Sequence, residues 1–155
     1  MKRKAFILIA AAVAVELAMA FLVQSGWAQP RGGISIWVRA IAASSAGQRI
    51  DPRLRDIRGQ LGTLFRYTSY DVISEVKQRV SFRQAVHMNL RNGRRLTITP
   101  FAFEQGMIQM SLKIMEGNRA TFNTNLRLAN QGTLLIGGPR HGEGVLIFAI
   151  SAGVR

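Results

Sequence analysis

The chain has 155 residues, 48% of them apolar, with a net charge of +13 and a pI near 11.7. That apolar share supplies a real core and excludes general disorder, and the length suits one domain behind a targeting segment. There is no cysteine, which excludes a disulfide framework, thiolate metal sites and a Cys nucleophile.

Met1-Lys2-Arg3-Lys4 is a basic start to an apolar run, Ala5 to Val23, and Gly26 and Ala28 put small residues at the −3 and −1 positions of a cut before Gln29. Residues 1–28 are therefore expected to form a hydrophobic helix that serves as a cleaved signal peptide. The alternative is a retained anchor at residues 5–23, since that run is long enough to span a bilayer. Glu16 lies in its middle, and a carboxylate there weakens a permanent anchor more than a transient signal. In both cases the basic start stays cytoplasmic and residues 29–155 are exported, to the periplasm or beyond, as one β-rich domain. Removing the first 28 residues takes three of 21 basic and one of eight acidic groups, leaving +11. Such a field favours anionic lipid, lipopolysaccharide phosphate, nucleic acid or acidic proteins, and export makes nucleic acid the poorest fit of these. The preponderance of Arg over Lys among the cations is also what a source genome's base composition alone can produce.

After a short lead, Ile34, Ile36 and Val38 alternate with Ser35, Trp37 and Arg39, which predicts a first strand over Ile34–Ala43. Asp51-Pro52 then starts the one expected helix, with Asp51 as cap and Pro52 at the first helical position. Leu54, Ile57, Leu61 and either Leu64 or Phe65 give it an apolar face flanked by Arg53, Arg55 and Arg58, and its end is expected near Gly62 or Phe65. From Arg66 to Phe82 the period becomes two. Tyr70, Val72, Ser74, Val76, Gln78, Val80 and Phe82 fall on one face, as one long strand or two joined by a bulge.

Between Phe82 and Gly153 short alternating strands follow one another. Asn92-Gly93 separates Val86–Leu90 from Leu96–Pro100, a strong hairpin signal. Glu104-Gln105-Gly106, Glu116-Gly117-Asn118 and Asn130-Gln131-Gly132 mark the later turns. The last strand, Val145–Ile150, is apolar on both faces and belongs in the middle of a sheet. The expected fold is mainly β: an antiparallel sandwich or meander of about seven to eight strands with one helix packed on it.

No catalytic constellation, cofactor cradle or metal-ligand set stands out. His87 reads as an exposed strand residue. The best local candidate for a functional loop is Gly137–Gly144, which carries Arg140, His141 and Glu143 between two strands. The candidate anion-binding patch comprises Lys77, Arg79 and Arg83 along one strand, with Arg91, Arg94 and Arg95 around the Asn92-Gly93 turn.

Gln131–Gly138, an apolar strand ending in Gly-Gly, resembles a strand motif near the end of outer-membrane secretins, and Leu61–Arg66 resembles the Leu-Phe-Arg element of that family. The two stretches stand in the reverse order to the family's, and the chain has no room for a secretin's periplasmic modules and pore-forming strands. The resemblance implies shared envelope context only, and no functional residue is transferred by it. The expectation is a non-enzymatic exported envelope protein that assembles with another protein or with itself. The alternative is a module that binds anionic lipid or lipopolysaccharide through its arginines.

Overall fold

Period-two alternation becomes eight strands in two antiparallel sheets in a computed structural model that describes residues 32–155. The predicted N-terminal helix and its cut site lie outside the described residues. The strands are β1 (Ile34–Ser44), β2 (Ser69–Val80), β3 (Val86–Asn89), β4 (Arg94–Glu104), β5 (Met107–Glu116), β6 (Arg119–Ala129), β7 (Thr133–His141) and β8 (Gly144–Val154). The first sheet has the order β2-β1-β8-β7 and the second β3-β4-β5-β6. Tight turns with left-handed residues join the hairpins, at Gln105-Gly106, Gly117 and Gly142. The meander is therefore not continuous: after β6 the chain crosses back, and β8 pairs with β1 at the centre of the first sheet.

The facing sides of the two sheets share one core. Ile34, Ile36, Val38 and Ala40 of β1 and Leu146, Phe148 and Ile150 of β8 meet Leu96, Ile98, Ile108, Met110, Leu112 and Ile114 of the second sheet. Each fully buried aliphatic side chain stabilises the fold by about 1.5–3 kcal/mol. The first sheet has a second apolar face, where Ile41, Ala43, Tyr70, Val72, Ile147 and Ala149 pack against Leu54, Ile57 and Leu61. This explains the doubly apolar β8: it faces one core on each side.

β2 changes face along its length. Its register against β1 shifts between Ala40 and Ile41, which leaves Ile73 as an extra residue. Tyr70 and Val72 therefore join the second core while Val76 and Val80 join the first. A single alternating face from Tyr70 to Val80 does not form.

The helix also departs from expectation. Asp51 does cap, accepting from the Arg53 backbone N–H at 2.9 Å. Instead of one helix there is a turn of 3-10 helix at Pro52–Leu54, then α1 at Arg58–Leu64. The Ile57 N–H bonds to the Leu54 carbonyl, three residues back, at 3.1 Å. That frees the Arg53 carbonyl, which accepts instead from the Arg39 guanidinium at 2.8 Å. A partner on β1 thus takes the group that a continuous helix would have used.

Two glycine substitutions should act in opposite directions. A Cβ on Gly144 would collide with the Ala43 carbonyl, so Gly144→Ala should lower the urea midpoint by an equivalent of about 1–3 kcal/mol. Gly59 is helical, exposed and has open space where a Cβ would go, so Gly59→Ala should raise it by about 0.4–1 kcal/mol.

Candidate functional site

Four strands are sheet edges: β2 and β7 in the first sheet, β3 and β6 in the second. Edges expose unpaired backbone groups, and proteins blunt them with charge, bulges, short length or cover. β2 carries Asp71, Glu75, Lys77 and Arg79 as well as the Ile73 bulge. It also meets β3 at a corner where the Ser74 hydroxyl donates to the Asn89 carbonyl at 3.3 Å. β3 is four residues long. β6 carries Arg119 and Arg127 and shifts register between Ile114 and Met115 of its neighbour.

β7 differs from the other three in that its uncharged run is apolar, whereas the uncharged run of β6, Ala120–Leu126, is mostly Thr and Asn. Its segment Thr133–Gly137 has no charge and pairs in unbroken register with β8, the irregularity coming only between Gly137 and Arg140. Leu134 and Ile136 turn toward the shared core and Leu135 toward the second one, and all three are partly exposed. Beside the edge runs a groove of about 550 Å³ lined by Gly59, Gln60, Thr63 and Leu64 of α1 and by Thr133, Leu134 and Leu135. Leu64 is 62% exposed at its rim. The spacing of the α1 segment left Leu64 and Phe65 as equal candidates for the inward position. Phe65 packs on the second core, and Leu64 faces out along β7.

α1 is held in that place by charge. Arg39, on β1, is fully buried, and its guanidinium makes a two-pronged pair with Asp56 at 2.7 and 2.8 Å. It also lies over the Trp37 ring, 4.0 Å from the centroid, a contact worth about 0.5–2 kcal/mol. The Trp37 indole N–H donates to Glu75 at 2.6 Å, and Arg53 bridges Glu75 to Asp51. The Arg53 guanidinium, with the Arg53 and Val72 backbone N–H groups, holds the Asp51 carboxyl far below the usual carboxylate range, against burial that pushes it up. Hydrogen bonds from Arg39 hold Asp56 low as well. Read by alternation, Arg39 belonged with the outward residues of the first strand. It does point away from the shared core, but into the layer under α1.

The residues singled out from sequence separate into groups. Lys77 and Arg79 lie on the α1 side of β2, Lys77 with its ammonium 5.3 Å from the Trp37 centroid. Arg83 follows in the turn to β3, with a left-handed backbone and its N–H on the Pro100 carbonyl. Arg91, Arg94 and Arg95 come at the other end of β3, where Arg94 is mostly buried and pairs with Glu116 at 3.5 Å. Arg140, His141 and Glu143 form the β7–β8 turn, His141 pairing with Gly144 across it. Of these nine residues, only Arg94 takes part in an ion pair among the described residues. His87 is exposed on β3, its ring 3.1 Å from the Thr97 hydroxyl. No three His, Asp or Glu side chains are placed to hold a metal ion among the described residues, and no helix there is long and apolar enough to cross a membrane.

The Arg39–Asp56 pair is lopsided, and substitution should reveal it. Asp56 is 49% exposed and can turn to water, whereas Arg39 cannot. Asp56→Ala strands a buried cation and should cost about 3 kcal/mol or more; Arg39→Met removes that cation, leaves Asp56 free to turn to water, keeps an apolar side chain against Trp37 and should cost less than half of that. A carboxyl held low in the fold binds its proton more weakly there than in the unfolded chain. The contributions of Asp51 and Asp56 are therefore complete above about pH 4 and are lost as pH falls below it. Urea midpoints measured from pH 7 downward should drop below that point, and less steeply for Asp51→Asn.

No family model, curated protein or solved structure matches the chain.

Proposed function

We propose that the chain is a non-enzymatic, exported β-sandwich of the bacterial envelope that works by adding a strand of a partner to its β7 edge. The uncharged, regular run Thr133–Gly137 beside the exposed Leu64 carries this reading. An extended segment on that edge gains main-chain hydrogen bonds along its length, and its alternate side chains reach the groove by α1 and the mouth of the shared core. Export rests on the basic start, the apolar run and the small residues before Gln29. A photo-cross-linking residue placed at Leu135 in cells should give a discrete adduct with an envelope protein or with the chain itself. The same residue at Asn123, on the outer face of β6, should give none. Absence of any adduct from Leu135 would remove the reading.

A second reading is favoured by a separate observation. Lys77, Arg79, Arg83, Arg91 and Arg95 have no carboxylate partner among the described residues, which leaves their charge available to an anionic ligand such as lipopolysaccharide or anionic lipid. Arg91→Glu combined with Arg95→Glu should then abolish retention on vesicles of anionic lipid at low salt while the thermal midpoint is kept. Retention equal to the parent's would exclude that pair from the contact.

A further inference from the structure

We infer that the β7 edge pairs with the β7 edge of a second copy, antiparallel about a twofold axis at Leu135, to join two first sheets into one. The inference rests on the strand-addition reading and names its partner. Strand order alone would allow any extended segment, but the composition of this edge favours itself. About an axis at Leu135, Thr133 faces Gly137 of the second copy, Leu134 faces Ile136, and Leu135 faces Leu135. The next charge, Arg140, falls opposite Asn130 of the second copy, so no cation meets a cation although each chain carries +13.

Both sides of the joined edge become apolar. On the side of the shared core, Leu134 and Ile136, partly buried in one copy, cover their counterparts. On the α1 side, the two Leu135 side chains meet between the two exposed Leu64 side chains, and the grooves beside them merge. Within one copy, the side-chain hydrogen bond that β7 makes outside its backbone ladder is Thr133 to Ser151 on β8, at 2.7 Å, on the side away from the open edge. The register slip between Gly137 and Arg140 limits the flat segment at one end, and the turn at Asn130–Gly132 limits it at the other. Both limits lie at equal distance from Leu135 to within a residue, which suits a symmetric contact.

The absence of native cysteine makes the register directly testable on the full chain in mild detergent. Directly opposed residues of an antiparallel pair have Cα atoms about 4.5–5.5 Å apart, within reach of a disulfide. Leu135→Cys should therefore oxidise to a covalent dimer on the order of 10²-fold faster than Asn123→Cys at micromolar protein. Leu134→Cys, which faces Ile136 rather than itself, should be slower than Leu135→Cys. Without any substitution, light scattering should show a dimer that strengthens with added salt, because salt screens the repulsion of two cationic chains. Monomer at every concentration overturns the inference, as does equal cross-linking at Leu135 and Asn123, or association that weakens with salt. An in-cell adduct from Leu135 to a different protein, without dimer, would overturn self-pairing and leave strand addition standing.

Discussion

Everything on the outer side of the first sheet depends on one buried cation. Arg39 stands in the middle of β1, and its guanidinium reaches the Arg53 carbonyl and both oxygens of Asp56. Lysine would not do the same: it lacks the planar fork that grips a carboxylate with two bonds while stacking on an indole. The pair costs desolvation of Arg39, and its Nε is left buried without a partner. What it provides is position. It breaks the helical segment after Leu54, restarts it at Arg58, and so turns Leu54, Ile57 and Leu61 onto the sheet.

That placement links core to edge. Because α1 lies across the outer face of the first sheet, Tyr70 and Ile147 are covered and β8 can be apolar on both sides. α1 stops short of closing over β7, and its last residue, Leu64, stays exposed beside Leu135. The same ion pair that secures the second core therefore sets the width of the groove along the open edge. The cationic residues of the candidate anion-binding patch have a different standing: they sit in turns and on strand faces, and only Arg94 of them takes part in an ion pair among the described residues.

Much of the architecture could be read from the chain alone because it is local. Alternation located β1 and β4 to β8, Asn92-Gly93 and the later glycine turns located the hairpins, and the apolar Val145–Ile150 run announced a central strand. Asp51 was recognisable as a cap because capping needs only the next two residues. Arg39 could not be read this way, since its burial depends on Asp56, on another element and outside the alternation of β1. The choice between Leu64 and Phe65 was equally hidden, because helical spacing admits both and only the position of β7 separates them. Which strands become edges is a property of strand order, and turn residues carry no information about the crossing from β6 to β7. The uncharged, apolar run Thr133–Gly137 was visible as letters, yet its meaning appeared only when strand order left it on an edge.

The extra residue at Ile73 makes β2 serve two masters. Upstream of it the strand's even-numbered side chains belong to the layer under α1, and downstream they belong to the space between the sheets. Deleting Ile73 would restore uniform pairing with β1 and leave Tyr70 and Val72 in one layer and Val76 and Val80 in the other, whereas losing a residue from either arm of the strand would send that arm's outer side chains to the wrong compartment. Evolution can thus exchange side chains along this strand freely and can even lose the bulge, but a homologous chain that keeps it should retain the even spacing of Val72 and Val76, and one that lacks it should place them an odd number of positions apart.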